Sequence, residues 1–205
     1  MQEKILYKAI ELFTIFGFKS VSMDRISKEV GCSTKTLYKF YPNKTIIIKK
    51  MVEFGIQRDV KFFEDLDNKD ISSIDKFLEL HGTFFKRHSS NLYPGMIDDL
   101  RKYHPEIFSI IEDFLDNKSE IWIIKNLKTG IKEGYFKKNI RYTILAHYLI
   151  ELSLASVSQK NFPSERFNPG KVYATMIENF IYGISTAKGL RYLDNNFKRY
   201  FSDKD

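Results

Sequence analysis

The chain has 205 residues, of which 43% are hydrophobic and 29% charged, so it can bury a core as one large domain or as a small domain joined to a larger one. It has a single cysteine, Cys32, and no stretch near the ~20 consecutive apolar residues of a membrane span, so we expect a cytoplasmic protein without a signal peptide, membrane segment or internal disulfide. The first 50 residues hold ten basic and four acidic side chains and so carry most of the net charge of +7. This concentration of positive charge indicates either contact with a polyanion or a basic face exposed to solvent.

Three short helices are predicted at the start of the chain. The apolar residues of the first recur at the spacing of one helix face: Ile5, Ala9, Leu12, Phe13 and Phe16. Gly17 ends this helix, and a second helix runs from about 23 to 30, between Ser22 as N-cap and Gly31. Ser33 caps the third. We expect these helices to share a small core: Leu12, Phe13, Phe16, Ile26, Val30 and Leu37.

The second and third helices, with the glycine turn between them, have the spacing of a helix-turn-helix, in which the later helix enters the major groove of DNA. Lys35 lies in the first turn of that later helix, and Lys44 lies in the first turn of the next, where the helix dipole disfavours cations. Phosphate groups bound at these N-termini would explain both lysines. The later helix also offers hydroxyl groups and an ammonium for phosphate and base contacts: Thr34, Thr36, Tyr38 and Lys39.

Longer helices follow, at about 71–88, 92–103, 105–134, 141–159, 171–187 and 189–201. No alternating strand pattern, internal repeat or low-complexity tract interrupts them, so the predicted fold is all-α. We predict a helix-turn-helix DNA-binding domain over 1–45 and a helical effector-binding and dimerisation domain over 46–205.

Two of the later segments, 144–157 and 172–187, are apolar almost all the way round. A helix on the outside of a monomer needs one polar face. We therefore expect these helices to pack on the core with one side and on a second copy of the chain with the other, forming a homodimer. The alternative is that they are central helices of a monomeric bundle.

Residues 9–48 resemble the DNA-binding region of the TetR family of transcriptional regulators. The resemblance is carried by AIELFTIFGF, VSMDRI and GCSTKTLY, followed by an aromatic residue and a lysine at the fourth helix. The family's plan of a three-helix reader, a connecting fourth helix and a variable ligand-binding, dimerising body also agrees with the predicted helices. The resemblance implies a ligand-responsive regulator, most often a repressor, that binds palindromic double-stranded operator DNA as a dimer.

The resemblance also implies which side chains contact DNA: Ser22, Ser33, Thr34, Lys35, Thr36, Tyr38, Lys39 and Lys44. Within this set, Ser22 and Lys44 contact backbone phosphate, and Tyr38 contacts phosphate or a base. Phe40 departs from the histidine that many members have, so a phosphate contact at that position is absent or is made by another residue.

The expected effector is an unidentified small molecule that releases DNA by binding the DNA-incompetent state more tightly. Aromatic residues between 71 and 134 suit an apolar or aromatic ligand, and they suit a protein core equally well. Candidate pocket walls are Phe84, Trp122 and Tyr148.

No catalytic residue, metal site or cofactor is predicted. The four histidines lack the spacing of two metal ligands on one helix face: His81, His88, His104 and His147. The sequence also has no nucleophile elbow and no phosphate-binding glycine loop. Cys32 and Tyr41 are expected to pack rather than react. Two other functions stay open, namely a small-molecule-binding protein of the same fold that does not bind DNA, and an enzyme with a scattered active site.

Overall fold

The structure is a computed structural model that describes residues 1–89, 93 and 95–202. Its helices are α1 (Gln2–Ser20), α2 (Met23–Val30), α3 (Thr34–Phe40), α4 (Lys44–Asn68), α5 (Ser73–Ser89), α6 (Met96–Tyr103), α7 (Pro105–Phe114), a π-helical segment (Leu115–Ser119), α8 (Glu120–Lys132), α9 (Tyr142–Ser156), α10 (Pro169–Ile184) and α11 (Ala187–Phe201). Among the described residues there is no β-strand, and Phe136 and Ser185 form an isolated antiparallel bridge. The predicted all-α fold is confirmed.

The chain divides into two compact units. The first comprises Met1–Val60 and Asn91–Asp113, and the second comprises Lys61–Ser90 and Phe114–Asp205. Both units are therefore discontinuous in sequence. The division at residue 45 into a DNA-binding and an effector-binding domain concerns function, and it stays a prediction.

The first unit has an apolar core to which each of its first four helices contributes. Its fully buried side chains are Ile5, Ala9, Phe13, Val21, Ile26, Leu37, Ile47 and Ile48. Tyr41 is buried as well, and its hydroxyl donates to the carbonyl of Gln2 at 3.4 Å. The predicted burial is confirmed for most of the expected core: Leu12, Phe13, Ile26, Val30, Leu37 and Tyr41. Cys32 is half-buried and packs against this core.

Phe16 was also expected in this core, and that prediction was wrong, because its side chain is 40% exposed. Gly17 breaks α1 with φ 73° and ψ 165°, a conformation that glycine adopts readily, and one further turn reaches Ser20. Beyond this break, Phe18 is the aromatic residue that enters the core. The Phe16 ring stays at the surface, where the guanidinium of Arg25 lies 3.9 Å from its centroid.

In the second unit, α5 packs against α8, α10 and α11, and α9 packs against α8 and α10. The loop after α8 meets the junction of α10 and α11 through backbone hydrogen bonds. Lys137 N donates to the carbonyl of Ile184, and Thr186 N donates to the carbonyl of Tyr135, each at 2.9 Å. Between these bonds lies Phe136, which is 1% exposed. Chain segments about 50 residues apart are thereby joined at one place.

The predicted helix over 105–134 is observed as α7, the π-helical segment and α8 in direct succession. A π-helical turn holds one more residue than an α-helical turn and is often found near functional sites. None of the helices described combines the length and the apolar character needed to cross a membrane.

Candidate functional site

Serine caps and one glycine fix the turn between α2 and α3. Ser22 Oγ accepts from Arg25 N at 3.1 Å, and Ser33 Oγ accepts from Thr36 N at 3.0 Å. Gly31 follows α2 in the left-handed conformation, with φ 75° and ψ 40°. Both predicted N-caps are confirmed, and local hydrogen bonds set where α3 begins.

Helix α3 presents a polar face to solvent. Lys35, Tyr38 and Lys39 are exposed and lie at i, i+3 and i+4, so they share one side of the helix. Leu37 is fully buried and anchors the helix to the core. Tyr38 keeps 48% of its surface exposed although its ring is large, so this face is open to a partner.

The first turn of α3 brings together four of the residues predicted to contact DNA. Ser33 is exposed, Thr34 and Thr36 are half-buried, and the hydroxyls of Ser33 and Thr36 lie 2.8 Å apart. Ser22, at the start of α2, is also exposed. Phe40 is half-buried against the core, so it offers no replacement for the phosphate contact of a histidine.

The lysines of α3 carry positive charge that the described residues do not neutralise. Lys35 and Lys39 have no ion pair within that part of the chain, whereas Lys28 of α2 lies 2.9 Å from the carboxylate of Asp24. A cation in the first turn of a helix opposes the helix dipole. The polar face of α3 is therefore suited to bind an external anion.

Lys44 occupies a different environment from the other predicted DNA contacts. Its ammonium donates to the carbonyls of Phe18 at 2.8 Å and Val21 at 3.1 Å, in the connection between α1 and α2. Desolvation lowers the pKa of this lysine. Val21 precedes the N-cap Ser22, so Lys44 holds the start of α2 against the start of α4. A phosphate contact by Lys44 stays a prediction, and it would use the remaining N–H of an ammonium already bound twice.

We expect Lys44→Ala to lower the free energy of unfolding by about 1–2 kcal/mol, because two backbone carbonyls lose a charged donor that is only partly solvated. Urea denaturation of the two proteins measures this loss. Lys49→Ala is the matched control, since Lys49 is exposed on the same helix and its nearest carboxylate contact, to Glu53, is 3.9 Å long. A destabilisation no larger than that of the control would contradict the bracing role of Lys44.

The second unit contains a row of four aromatic or imidazole side chains on α5 at i, i+4, i+7 and i+11, here called the α5 stripe: Phe77, His81, Phe84 and His88. Tyr173 of α10 faces this stripe. Its ring centroid lies 6.0 Å from that of His81, 6.5 Å from that of Phe84 and 5.3 Å from that of His88. The stripe and Tyr173 form one cluster of mostly apolar rings.

Burial keeps the titratable rings of this cluster uncharged. His81 Nδ1 lies 2.6 Å from the hydroxyl of Tyr173, and both side chains are buried. Burial lowers the pKa of His81 to about 3 and raises the pKa of Tyr173. Burial, followed by the nearby charge of Arg87, lowers the pKa of His88 to about 4. Both imidazoles are therefore neutral at neutral pH.

One of the predicted pocket residues belongs to this cluster, and another reaches it through Phe180. Phe84 belongs to the α5 stripe and is half-buried. Tyr148 of α9 is 50% exposed, and its ring lies 6.4 Å from that of Phe180. Phe180 in turn stacks on Phe77 at 5.9 Å. A succession of ring contacts through Phe180, Phe77 and His81 thus links Tyr148 to Phe84. Their role as pocket walls stays a prediction.

Trp122, the third predicted pocket residue, belongs to a separate stack. Its ring lies 5.3 Å from that of Phe63, and Phe63 also stacks on Phe114. The indole N–H donates to the carboxylate of Asp67 at 3.2 Å, and Lys125 contacts the other carboxylate oxygen at 2.7 Å. The indole N–H is already used within the fold, so a ligand here would meet only the ring.

Two buried polar side chains were not predicted from the sequence. His81 was considered only as a metal ligand, although its spacing within the α5 stripe indicates a ring that faces α10. Asn126 of α8 is 7% exposed. Its position four residues after Trp122 and four before Gly130, on the apolar side of the helix, was the available signal. No group of three or more His, Cys, Asp or Glu side chains suited to a metal ion occurs among the described residues.

Comparison with known proteins bears on the N-terminal helices first. Residues 5–51 match the family model of bacterial regulatory proteins, tetR family. The HTH-type transcriptional regulator YvaF of Bacillus subtilis is 24% identical over 187 residues, which cover 90% of this chain and 96% of YvaF. The negative transcriptional regulator IcaR of the biofilm operon icaADBC of Staphylococcus epidermidis is 36% identical over 80 residues, which cover 38% of this chain and 43% of IcaR.

Solved structures share the fold over nearly the whole chain. A transcriptional regulator from Saccharomonospora viridis, in complex with choline, superimposes with a TM-score of 0.70. It is 17% identical, and the match covers 90% of this chain and 97% of that protein. At this level of identity, the likeness shows the fold alone.

Proposed function

The chain belongs to the TetR family of transcriptional regulators, and we propose that it is a ligand-responsive repressor that binds a palindromic operator as a homodimer. The observation that carries the proposal is the exposed face of α3, where Lys35, Tyr38 and Lys39 lie side by side and neither lysine is paired with an acid in the described part of the chain. This face supports a role for α3 as the recognition helix in the major groove.

We assign phosphate contacts and base contacts to different side chains of this surface. Ammonium groups and hydroxyls bind phosphate without regard to sequence, and they orient the protein on the duplex. Lys35, Tyr38 and Lys39 project from the exposed face, and Thr34 and Thr36 stand in the first turn. Lysine and threonine side chains in the major groove also distinguish base edges. The operator sequence is read by these side chains of α3, while Ser22 contacts the backbone.

A homodimer formed through α9 and α10 places two recognition helices on one duplex. Exposed apolar side chains on α9 support this interface. Ile144 and Tyr148 lie one turn apart and are 58% and 50% exposed. Apolar side chains paired in this way favour burial against a second copy. Two-fold symmetry of the dimer then requires an inverted repeat in the operator.

The second unit is the effector-binding part of the proposed repressor. The S. viridis relative in fold is bound to choline, which supports small-molecule binding by proteins of this fold. The negative regulator IcaR supports repression as the outcome of operator binding. An effector that binds the DNA-incompetent conformation more tightly shifts the population toward it and releases the operator.

Two other functions remain as alternatives, namely a ligand-binding protein that does not bind DNA and an enzyme. A ligand-binding protein without DNA binding would have no use for lysines on the exposed face of α3 that no described acidic residue pairs with. An enzyme is disfavoured because the relatives matched by sequence are transcriptional regulators.

Selection of genomic fragments by the purified protein, followed by titration on the enriched sequence at several salt concentrations, tests the proposal. We expect one inverted repeat to be enriched, two chains to bind each duplex, and affinity to fall steeply as salt rises. Equal binding to all duplexes, or binding to none, would contradict the proposal.

We expect replacement of both Lys35 and Lys39 by Ala to weaken operator binding ~10- to 100-fold and to reduce the salt slope by about one unit for each phosphate that is no longer bound. Replacement of Lys138 and Lys160 by Ala is the matched control, because both lysines are exposed in the second unit and the change in net charge is the same. Fluorescence anisotropy with labelled operator gives both quantities. Equal effects of the two double variants would show that net charge, not α3, governs binding.

A further inference from the structure

Asn126 on α8 is a buried amide that makes no hydrogen bond to the part of the chain that the structure describes. Its side chain is 7% exposed, and neither Nδ2 nor Oδ1 has a partner among the described residues. Buried polar groups of proteins are almost always hydrogen-bonded, either to protein or to ordered water. An amide with both its donor and its acceptor unused therefore points to a molecule that supplies both.

His81 on α5 provides a second unused polar atom. Its Nδ1 is engaged by the hydroxyl of Tyr173, which fixes the plane of the imidazole. Its Nε2 is buried and has no partner within the described residues. The ring is thus oriented by one nitrogen while the other is free to meet a ligand.

Contacts between α5 and α8 indicate that the two helices run antiparallel, so the positions of Asn126 and His81 along the helix pair can be compared. Ser73, at the start of α5, donates from its backbone N and its Oγ to the carboxylate of Glu133, directly after α8, at 2.9 and 2.7 Å. Further along, Lys76 of α5 and Lys125 of α8 both donate to Asp67, at 3.1 and 2.7 Å.

The distance along the helices between the two unused groups follows from this pairing. Gly130, one turn before the end of α8, lies against Ser73. Asn126 lies four residues from Gly130 along α8, and Phe77 lies four residues from Ser73 along α5. Each of these steps is about 6 Å along the helix axis. His81 is one turn beyond Phe77, and the two rings are 4.2 Å apart. About one helical turn separates the levels of the amide and the imidazole, a span that a small ligand can bridge.

The surroundings of these groups are suited to an uncharged ligand. The buried polar side chains among the described residues are serines, His81 and Asn126, and they include no Lys, Arg, Asp or Glu. An ionised ligand in such surroundings would lose its hydration without gaining an opposite charge. The rings of the α5 stripe offer apolar contact to the remainder of the molecule.

We infer that the effector is an uncharged, largely apolar molecule with a hydrogen-bond donor and acceptor side by side, as in a primary amide, and that Asn126 pairs with this group while His81 Nε2 binds a further polar atom. The inference rests on the proposed function, because it specifies the chemistry of that regulator's effector. Neither polar group is accessible to solvent in this closed structure, so the proposed ligand binds a more open conformation in which both groups are exposed. Binding then favours a conformation other than the closed one, as an inducer must.

Three probes with a common skeleton test the inference, namely 4-butylbenzamide, 4-butylbenzoate and butylbenzene. We expect calorimetric titration of the full-length protein to show the amide binding at least ~10-fold more tightly than either of the others, a ratio that corresponds to about 1.4 kcal/mol. In Asn126→Leu, a change to an apolar side chain of similar size, the three affinities should agree within about threefold. In His81→Phe the affinity for the amide should fall ~3- to 10-fold, because Nε2 is removed.

Stability in the absence of probe separates a ligand contact from a structural role. Removal of an unpaired buried amide leaves stability unchanged or raised, so we expect the Tm of Asn126→Leu to equal or exceed that of the parent. A lower Tm would show that Asn126, with an ordered water, supports the fold. That result would overturn the inference, as would benzoate binding as tightly as the amide, an amide preference that survives Asn126→Leu, or no binding of the amide.

Operator binding without probe distinguishes the failure of this inference from the failure of the proposed function. A protein that binds its operator but shows no preference for the amide contradicts only the inference. A protein that prefers the amide but binds no operator contradicts the proposed function, and with it the identification of the ligand as an effector. When the protein binds its operator and also prefers the amide, addition of 4-butylbenzamide should weaken operator binding by the parent protein. The same addition should leave operator binding by Asn126→Leu unchanged.

Discussion

Acidification from pH 7.5 to pH 4.5 is expected to lower the free energy of unfolding by about 3 kcal/mol through His81 alone. Burial lowers the folded-state pKa of this histidine to about 3, whereas an unfolded histidine titrates near 6.5. Below pH ~6.5 the unfolded chain takes up a proton that the folded chain excludes, so stability falls by about 1.4 kcal/mol per pH unit until the folded pKa is reached. Above pH ~6.5 both states are neutral at this position, and the contribution is constant.

Denaturation with urea at several pH values measures this effect, and His81→Phe isolates it. The variant should be less stable than the parent at pH 7.5, because the hydroxyl of Tyr173 loses its partner. Its stability should nevertheless fall less steeply below pH 6.5. His147→Gln is the control, since His147 is exposed on α9, and its pH dependence should match that of the parent. Parallel curves for parent and His81→Phe would show that His81 is accessible to protons in the folded state.

Phe136→Ala is expected to lower the free energy of unfolding by about 3–5 kcal/mol, the range for removal of a large buried aromatic ring. Phe136 is 1% exposed and lies where the loop after α8 meets the junction of α10 and α11. Gly130 of α8 makes room for this ring, because a Cβ at position 130 would overlap it. Thermal and urea denaturation report the loss.

A double-mutant cycle tests the fit between the ring and the glycine. Gly130→Ala alone should destabilise the protein by about 1–3 kcal/mol, the usual range for overpacking. In the Phe136→Ala background, the same change should cost clearly less than in the parent, because the ring is gone and alanine favours helix, although Ser73 Oγ still lies close to the added Cβ. Gly55→Ala is the control, because Gly55 lies within α4 and no atom of the described residues is near the position of its Cβ; this change should stabilise by up to about 1 kcal/mol. Additive effects at positions 130 and 136 would contradict the steric fit.

The parts of the fold that depend on neighbouring residues were predictable from the sequence. Ser22 and Ser33 cap α2 and α3 as expected, because an N-cap is formed by a side chain and a backbone N–H three residues apart. The burial of Leu37 and the exposure of Lys35 and Lys39 follow from helical spacing around one short helix. These local signals were sufficient to place the candidate recognition surface.

Contacts between distant residues were not predictable in this way. The spacing of Phe16 marks it as a core residue, but its ring lies at the surface, and Phe18, beyond the break at Gly17, is the ring that enters the core. Lys44 has the sequence context of a phosphate contact, yet its ammonium is bound by carbonyls more than 20 residues earlier in the chain. The environment of Asn126 likewise depends on helices that are remote in sequence, so its lack of a partner among the described residues appears only in three dimensions.

The π-helical segment Leu115–Ser119 shifts the phase of the helix in which it lies. One additional residue in a turn sets every later side chain back by about 100° around the helix axis relative to an uninterrupted α-helix. Phe114, just before the segment, and Trp122, after it, both stack on the ring of Phe63 within the second unit. Loss of a single residue from the segment would restore the α-helical phase but turn one of these two rings away from Phe63. In related chains, single-residue insertions and deletions within this helix should therefore be rare, and those that survive should be accompanied by compensating changes in the apolar pattern on one side of the segment.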